Sequence, residues 1–462
     1  MIDEERFVAP LGAFRPRRPD VRELFTLALP VVVVQVGIML MGVVDTVMVG
    51  HVSPRDLAAV ALGNLYFFAC ALFGMGILYA LDPLVAQAFG AGDDSTVARS
   101  VQRALVLALG LAVVSSLAMA LAGPVLRLLR QPPEVLPVAR AYVLASIPGV
   151  VPFFAFIVLR QTLQAMGRVA PIVWAVVVGN VANLALNWAL IYGYAGLPEL
   201  GAVGSGWAST LARWVMALVL LGLSWPLTRI YLWPPRPGAA AWVPLRAMLA
   251  LGLPIGVQFS LEFGAFAAIG VLMGWLGTGA MAGHHVALNL SSLTFMVPLG
   301  IAQAAAVLVG RAVGREDPAA ARRAAGAGLL AAGLFMSVTA LAFLTAPGAL
   351  ARIYSRDAEV LAVAVSLLPL AGVFQVFDGL QVVAIAVLRG VGDTRAPMLV
   401  NVLGFWIFGM PISLWLGFYM GAGPVGLWWG LVVGLAAVAL FLLARIRRRF
   451  GGELRRLVLA GH

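Results

Sequence analysis

Four carboxylates lie inside apolar stretches that are long enough to cross a bilayer: Asp45, Asp82, Glu262 and Asp378. The other sixteen of the 20 acidic residues fall in tails, loops or the ends of such stretches. An ionised side chain near the bilayer centre costs about 3 kcal/mol on insertion scales, so a spanning helix keeps one mainly where it faces a cavity or a partner. A helix that carries such a carboxylate is therefore expected to handle ions.

Glu262 lies eight residues beyond Pro254, with Gln258 one turn before it. A carboxyl group removed from water favours its protonated form, and an approaching cation favours the charged form again. Binding of a proton or Na⁺ at Glu262 would therefore compete with binding of a cationic substrate, which is the physical basis of antiport. The alternative role is that of a hydrogen-bonded structural acid.

Asp378 has an amide on each neighbouring turn, because Gln375 and Gln381 lie three residues before and after it. Residues at this spacing share one face of a helix. We therefore expect Asp378 to contact the coupling ion, and Glu262 with Asp378 to be the candidate Na⁺ ligands of the second half of the chain.

Asp45 has candidate partners on a polar stripe of a later apolar stretch. Asn180, Asn183 and Asn187 follow each other at intervals of three and four residues. Three amides can simply hold apolar helices together, but a carboxylate with amide oxygens also suits a small hard cation. Both interpretations stay open, and ion or proton binding at Asp45, Asn183 and Asn187 is the one favoured here.

Three other polar features have a weaker functional signal. Asp82 precedes Pro83, where a kink and interfacial water would satisfy the carboxylate as readily as a functional role. Arg213 would either neutralise a carboxylate or extend to the membrane interface. His284 and His285 point about 100° apart on a helix, so a pH-sensitive contact fits them better than a shared metal ion.

The composition places these residues in a membrane protein. Hydrophobic residues make up 62% of the chain and charged residues 11%, against about 45 to 50% apolar residues in soluble domains. A spanning helix needs about 20 mostly apolar residues, and twelve stretches qualify. Those of the first half are near 24–50, 57–88, 100–123, 135–159, 169–194 and 203–226. Those of the second half are near 249–275, 280–309, 322–346, 359–388, 396–420 and 424–446.

The arginines predict the orientation of these spans. With a cytoplasmic N-terminus, the N-terminal tail, the even-numbered loops and the C-terminal tail hold 24 of the 31 basic residues, as the positive-inside rule requires. Both termini are therefore expected in the cytoplasm. The net charge of +11 then needs no nucleic acid, and the basic tail from Arg445 to Arg456 is expected to meet anionic lipid headgroups. Cys70 is the only cysteine, which excludes an intramolecular disulfide.

The two halves of the chain resemble each other at a fixed offset. Leu27–Pro30 returns as Leu251–Pro254, and the loop Phe89–Asp93 returns as Val313–Asp317, both 224 residues later. Shorter matches join Gly167 to Gly392, Ala170-Pro171 to Ala396-Pro397 and Val203-Gly204 to Val425-Gly426. Because each copy has an even number of spans, the repeat is parallel, with an axis along the membrane normal.

The repeat predicts an all-α integral membrane protein of twelve transmembrane helices, arranged as two parallel six-helix lobes around a central cavity. The expected segments are a tail (1–23), the N-lobe (24–226), a proline-rich linker (227–248), the C-lobe (249–446) and a basic tail (447–462). The lobes differ chemically, because the counterpart of Asp45 is Ile269 and that of Asp378 is Phe153. Each lobe is thus expected to have its own site.

Several motifs resemble the multidrug and toxic compound extrusion (MATE) family, over nearly the whole chain. The first-half motifs are Gly42–Gly50, Gln87–Gly92 and Asn183–Trp188. The second-half motifs, similar to the NorM-like branch, are Glu262, His285–Ser292, Asp378–Val383 and Leu388–Gly390.

The resemblance implies a monomeric exporter in the bacterial inner membrane that expels organic cations and drugs in exchange for H⁺ or Na⁺, with no cofactor. It implies a C-lobe cation site at Glu262 and Asp378. It also implies an N-lobe site at Asp45, Asn183, perhaps Asn187 and Thr210. The accessory candidates are Asp82, Asn180, Thr210, Gln258, Gln381 and Phe374.

Two positions depart from the family pattern. A tyrosine that relatives often have one turn before the span-ten aspartate is Phe374 here, which removes an oxygen but keeps an aromatic face and weakens the expectation of Na⁺ binding. Asp82, within Ala80–Pro83, is similar to eukaryotic members of the family, which favours protons.

Other functions fit the sequence less well. A lipid-linked oligosaccharide flippase of the same superfamily would need several cationic residues for its pyrophosphate cargo, whereas the spans offer Arg213 and four acids. An intramembrane enzyme would need a nucleophile with its base or a metal motif such as His-Glu-x-x-His, which the sequence lacks. A passive channel would show no coupling between two solutes.

Overall fold

The computed structural model describes residues 8–194, 196 and 198–458. In this part of the chain, 12 helices are long and apolar enough to cross a membrane, which confirms the predicted all-α architecture. Spans one to six are Arg18–Gly50, Pro54–Gly90, Asp94–Ala120, Leu136–Ala165, Ala170–Tyr192 and Gly201–Leu232. Spans seven to twelve are Trp242–Leu276, Thr278–Gly314, Pro318–Thr345, Ala358–Gly390, Arg395–Tyr419 and Gly423–Arg449.

The repeated loop motif ends in a helix cap in both halves. Asp93 accepts a hydrogen bond from the Thr96 N–H at the start of span three, and Asp317 does the same for Ala320 at the start of span nine. Such caps satisfy N–H groups that a helix leaves unpaired at its N-terminus. The residue before each cap has a positive φ, of 69° at Gly92 and 58° at Glu316, so both loops turn in the same way.

The segment between the halves is shorter than the expected 227–248. Span six continues through Pro226 to Leu232, and span seven begins at Trp242. A proline inside a helix removes one backbone hydrogen bond, and here it does not end the helix. The connecting segment is held by Gln102 of span three, whose side chain donates to the Pro234 carbonyl at 3.1 Å and accepts from the Arg236 N–H at 2.7 Å.

The helices form two compact units, whose boundaries fall within spans one and seven. We call residues 33–256 the N-lobe, and residues 8–32 with 257–458 the C-lobe. The boundaries follow Val32 and Gly256, which are 224 residues apart and each two residues after a proline, Pro30 or Pro254. The division of the chain therefore respects the internal repeat.

A glycine contact recurs in each lobe at the same place in the repeat. In the N-lobe, Gly76 of span two packs against the backbone of Gly256, and in the C-lobe, Gly300 of span eight packs against Val32. A Cβ atom at either glycine would collide with the facing helix, so only glycine permits this approach. Both members of the two pairs are related by the offset of 224 residues, and the lobes therefore share their packing as well as their sequence pattern.

Candidate functional site

The C-lobe brings three amides to the carboxylate of Glu262. Gln381 Nε2 of span ten lies 3.3 Å from Oε1, and Asn401 Nδ2 of span eleven lies 3.2 Å from Oε2. Gln258, one turn before Glu262, also forms a side-chain hydrogen bond with it. No basic side chain contributes to the electrostatics of Glu262 among the described residues, so neutral donors alone support its charge.

Asp378 has a different environment, although it belongs to the same site. Its side chain is 9% exposed, and it interacts electrostatically with Glu262 but with no basic residue of the described chain. None of the described side chains donates a hydrogen bond to it. Two acids therefore share a largely buried region without a protein counter-charge, an arrangement that favours uptake of a cation or a proton.

The amides beside Asp378 do not face it as the sequence predicts. Gln375 accepts a hydrogen bond from the Thr294 hydroxyl of span eight, and Gln381 donates to Glu262. The remaining amide atoms lack partners: Gln375 Nε2, Gln381 Oε1 and Asn401 Oδ1 are buried without a hydrogen bond. Since a buried polar atom without a partner is costly, the two amide oxygens offer unused ligands to a small cation.

Asn401 was missed by the sequence analysis. It is the last residue before a π-helical stretch, Val402–Gly409, within span eleven. Such stretches shift the register of side chains and often occur at functional sites. A 3.6-residue periodicity therefore gives no sign that Asn401 points at Glu262.

An aromatic cluster packs beside the C-lobe carboxylates. Phe374, one turn before Asp378 and 2% exposed, lies edge-to-face against Phe266 at 6.0 Å and contacts Trp428 at 5.8 Å between ring centroids. The Trp428 indole N–H donates to His284 Nδ1 at 3.1 Å, so this nitrogen is an acceptor. The predicted pair of His284 and His285 is thus divided, with His284 bound to the aromatic cluster.

The N-lobe site is built around Asp45 of span one. Asn183 and Asn187 of span five donate to its Oδ1 at 3.0 and 2.6 Å. The Ser209 hydroxyl of span six donates to Oδ2 at 2.6 Å. The sequence predicted the two asparagines but missed Ser209, which looks like a packing residue in the small-residue run Gly204–Ser209. Three donors therefore satisfy one buried carboxylate.

Arg213 supplies positive charge to the same lobe. It interacts electrostatically with Asp45 without forming an ion pair at contact distance, and its guanidinium carbon lies 3.9 Å from the centroid of the Phe67 ring. A cation over an aromatic face is stabilised by the ring electrons. Of the two roles expected for Arg213, the structure shows the counter-charge rather than extension to the interface.

The other N-lobe candidates lie apart from Asp45. Asn180 donates to the Gly37 and Val176 carbonyls, which matches the helix-joining alternative. Thr210 donates to the Ala145 carbonyl at 2.8 Å, because its neighbour Ser209 occupies the face towards Asp45. Asp82 is buried in the first turn of Leu81–Gly90, after a break in span two, where the helix dipole favours a carboxylate.

Neither site resembles a multivalent metal centre. Within the described ranges, no group of three or more His, Cys, Asp or Glu side chains could hold a metal ion. The oxygen atoms at Glu262 and at Asp45 fit a monovalent cation or a proton instead.

The comparisons with known proteins agree with this architecture. Residues 30–189 and 254–415 match the MatE family, one match in each half. The chain is 38% identical to multidrug resistance protein PmpM of Pseudomonas aeruginosa, over 87% of this chain and 85% of the relative. It is 37% identical to multidrug resistance protein NorM of Burkholderia vietnamiensis, over 84% of this chain and 86% of the relative.

The fold is also found among solved structures. The crystal structure of the eukaryotic MATE transporter AtDTX14 matches with a TM-score of 0.84 at 23% identity, covering 94% of this chain and 99% of that chain. On these matches, the chain belongs to the MATE family of ion-coupled multidrug transporters, and it is a transporter rather than an enzyme.

Proposed function

We propose that the protein exports organic cations and other drugs in exchange for inward H⁺ or Na⁺, with Glu262 and Asp378 as the principal coupling site. One observation carries this assignment. The two acids share a largely buried region of the C-lobe with no basic residue acting on either of them. The names of the relatives, which describe multidrug resistance, support drugs as the cargo.

The exchange follows from electrostatics. Two buried negative charges cannot persist side by side without compensation, so the pair binds either a coupling ion or a cationic substrate. Entry of one displaces the other, and alternating access of the site to the two sides of the membrane then couples their movements. One monovalent ion moving through about 150 mV supplies about 3.5 kcal/mol, which corresponds to a gradient of a few hundredfold for a neutral substrate.

H⁺ and Na⁺ place different demands on this site. A proton needs only a carboxylate oxygen, whereas Na⁺ needs several oxygen ligands. Glu262, Gln381 Oε1 and Asn401 Oδ1 offer such oxygens, but Phe374 offers none. This lack of a hydroxyl beside Asp378 favours H⁺ as the coupling ion.

The N-lobe site has a subordinate role in this proposal. Asp45, Asn183 and Asn187 form a proton or ion site whose carboxylate already has protein donors and Arg213 nearby. Ion exchange at Asp45 is therefore expected to tune transport rather than to drive it.

The orientation and the oligomeric state complete the proposal. Both termini are placed in the cytoplasm of a bacterial inner membrane, and the protein acts as a monomer. The Ala9 N–H donates to the Arg447 carbonyl at the end of span twelve, which supports termini on the same side. Reporter fusions at either end, and native mass spectrometry of the purified protein, would test these two points.

The direct test is uptake of a fluorescent organic cation into inverted vesicles under an imposed pH gradient or an imposed Na⁺ gradient. Uptake driven by one gradient and lost in Glu262→Gln establishes antiport and identifies the ion. Glu359→Gln, which changes an exposed acid at the start of span ten, is the matched control. No uptake under either gradient would overturn the proposal and favour the lipid-linked oligosaccharide flippase.

A further inference from the structure

A cavity of about 460 Å³ opens at the end of the C-lobe where spans one and nine begin. Four arginines line it: Arg15 and Arg17 from the segment before span one, and Arg322 and Arg323 from the first turns of span nine. The remaining lining residues are small or apolar. We call this cavity the arginine pocket. It lies outside the carboxylate sites described above.

The wall that holds Arg15 and Arg17 is fixed to the C-lobe. Residues Leu11–Phe14 form a 3₁₀ turn, and Ala9 is tied to Arg447 by a backbone hydrogen bond of 3.0 Å. The Phe14 ring packs against Phe450 at 5.9 Å, and the Phe14 backbone touches Gly326 of span nine. The two arginines that follow are therefore held opposite span nine.

The arginines of span nine use only part of their hydrogen-bonding capacity. Arg322 donates through Nε to the Phe450 carbonyl at 2.9 Å, and Arg323 pairs through Nε with Asp20 at 3.2 Å. Their terminal Nη groups have no partner among the described residues. Since a guanidinium group presents its donors as a planar fork, both forks stay available on the cavity side.

The charge of the pocket is strongly positive. Four guanidinium groups have one nearby carboxylate, that of Asp20, which pairs with Arg323. Asp317, at the start of span nine, is occupied by the Ala320 N–H as a helix cap. The pocket is thus left with an excess of positive charge and unused donors, which a phosphate group with its several acceptor oxygens would satisfy.

We propose that the arginine pocket binds a phosphate group, either the headgroup of an anionic phospholipid or a soluble phosphate compound. Its place at the ends of spans one and nine lies at headgroup depth, where basic pockets between spanning helices bind anionic lipids. The bound phosphate links the segment before span one to span nine, and so stabilises the C-lobe.

Arg15→Gln/Arg17→Gln is the variant of choice, because both side chains are exposed and form no side-chain hydrogen bond in the described structure. Arg99→Gln/Arg246→Gln is its control and removes the same charge from the N-lobe. Arg99 is the repeat counterpart of Arg323, but it donates to Ser95 and Thr96 of its own helix and lines no such cavity.

The full-length protein in dodecyl maltoside would be studied in two arms. Native mass spectrometry with added phosphatidylglycerol or phosphatidylcholine measures lipid binding, and calorimetric titration with inorganic pyrophosphate measures binding of a soluble phosphate. Each guanidinium group near a phosphate is worth about a factor of five, so we expect the double variant to bind about thirtyfold more weakly.

The arm in which this loss occurs identifies the source of the phosphate. Weaker phosphatidylglycerol binding with unchanged pyrophosphate binding assigns a lipid headgroup, and the reverse assigns a soluble compound. Equal losses in the control double variant would show general charge attraction and overturn the proposal. Unchanged binding in Arg15→Gln/Arg17→Gln would overturn it as well.

Discussion

Asp45 in the N-lobe accepts hydrogen bonds from three side chains and has Arg213 as a counter-charge. Asp378 in the C-lobe accepts none from the described residues, and its electrostatic neighbour is a second acid, Glu262. The first carboxylate is therefore stabilised by the protein. The second pair lacks such compensation and needs an external cation or proton.

The difference arose within one architecture. The lobes share helix caps at Asp93 and Asp317 and equivalent glycine contacts, yet the counterparts of the site residues are apolar. Ile269, fully buried, stands where the N-lobe has Asp45, and Phe153 stands where the C-lobe has Asp378. A duplicated bundle can thus keep its packing while only one copy acquires an uncompensated acidic pair.

The largest expected effect is loss of coupling in the C-lobe. Glu262→Gln or Asp378→Asn removes the charge that exchanges ion for substrate, so gradient-driven uptake into inverted vesicles should fall to the level of vesicles without the protein. Expression and elution from a sizing column should be unchanged, because each substitution removes an uncompensated buried charge. Full activity in either variant would remove that residue from the mechanism.

Asp45→Asn should instead act on stability. An amide at this position opposes N–H or O–H donors with its own N–H group and leaves Arg213 without a counter-charge, a loss of about 2 to 3 kcal/mol. Asp378→Asn removes a repulsion and should raise the melting temperature. Thermal unfolding in detergent at mildly alkaline pH measures both, and shifts of the same sign would break the comparison.

Ser209→Ala tests one donor of the N-lobe site. It removes a hydrogen bond to a charged group, worth about 1.5 to 3 kcal/mol, and should lower the melting temperature. Thr210→Ala is the neighbouring control, because it loses only a bond to the neutral Ala145 carbonyl, worth about 1 kcal/mol. If Thr210→Ala proves the more damaging, the assignment of Ser209 to Asp45 is wrong.

Asn401→Ala separates the two coupling ions. The amide donates to the anionic form of Glu262 and carries a free oxygen. Its removal should tighten proton binding but weaken Na⁺ binding, each about tenfold, as read from the half-saturating ion concentration for uptake. An unchanged value for both ions would exclude Asn401 from the site.

Phe374→Tyr should have the smallest effect, a gain. A hydroxyl one turn before Asp378 adds an oxygen ligand while keeping the contacts with Phe266 and Trp428. We expect Na⁺ to stimulate uptake a few-fold more in this variant than in the wild type, with proton-driven uptake retained. A response to Na⁺ that does not change would show that the missing hydroxyl is not what disfavours Na⁺.

The sequence was sufficient for the features that repeat or follow helical periodicity. The twelve spans, the pairing of Asp45 with Asn183 and Asn187, and the contact of Gln258 with Glu262 were all predicted. Asn401 was not, because a π-helical stretch begins after it and 139 residues separate it from Glu262. The orientation of Thr210 away from Asp45 was equally hidden, since adjacent residues differ only in the face that tertiary packing selects.

The central claim is that the C-lobe pair releases its ion when substrate binds. The measurement is the change in pH, and in Na⁺ activity, of a weakly buffered solution of purified protein when an organic cation is added. The account predicts release from the wild type and from Asp45→Asn, and none from a protein carrying Glu262→Gln and Asp378→Asn. Release that persists in that double variant but disappears in Asp45→Asn would place coupling in the N-lobe and contradict the account.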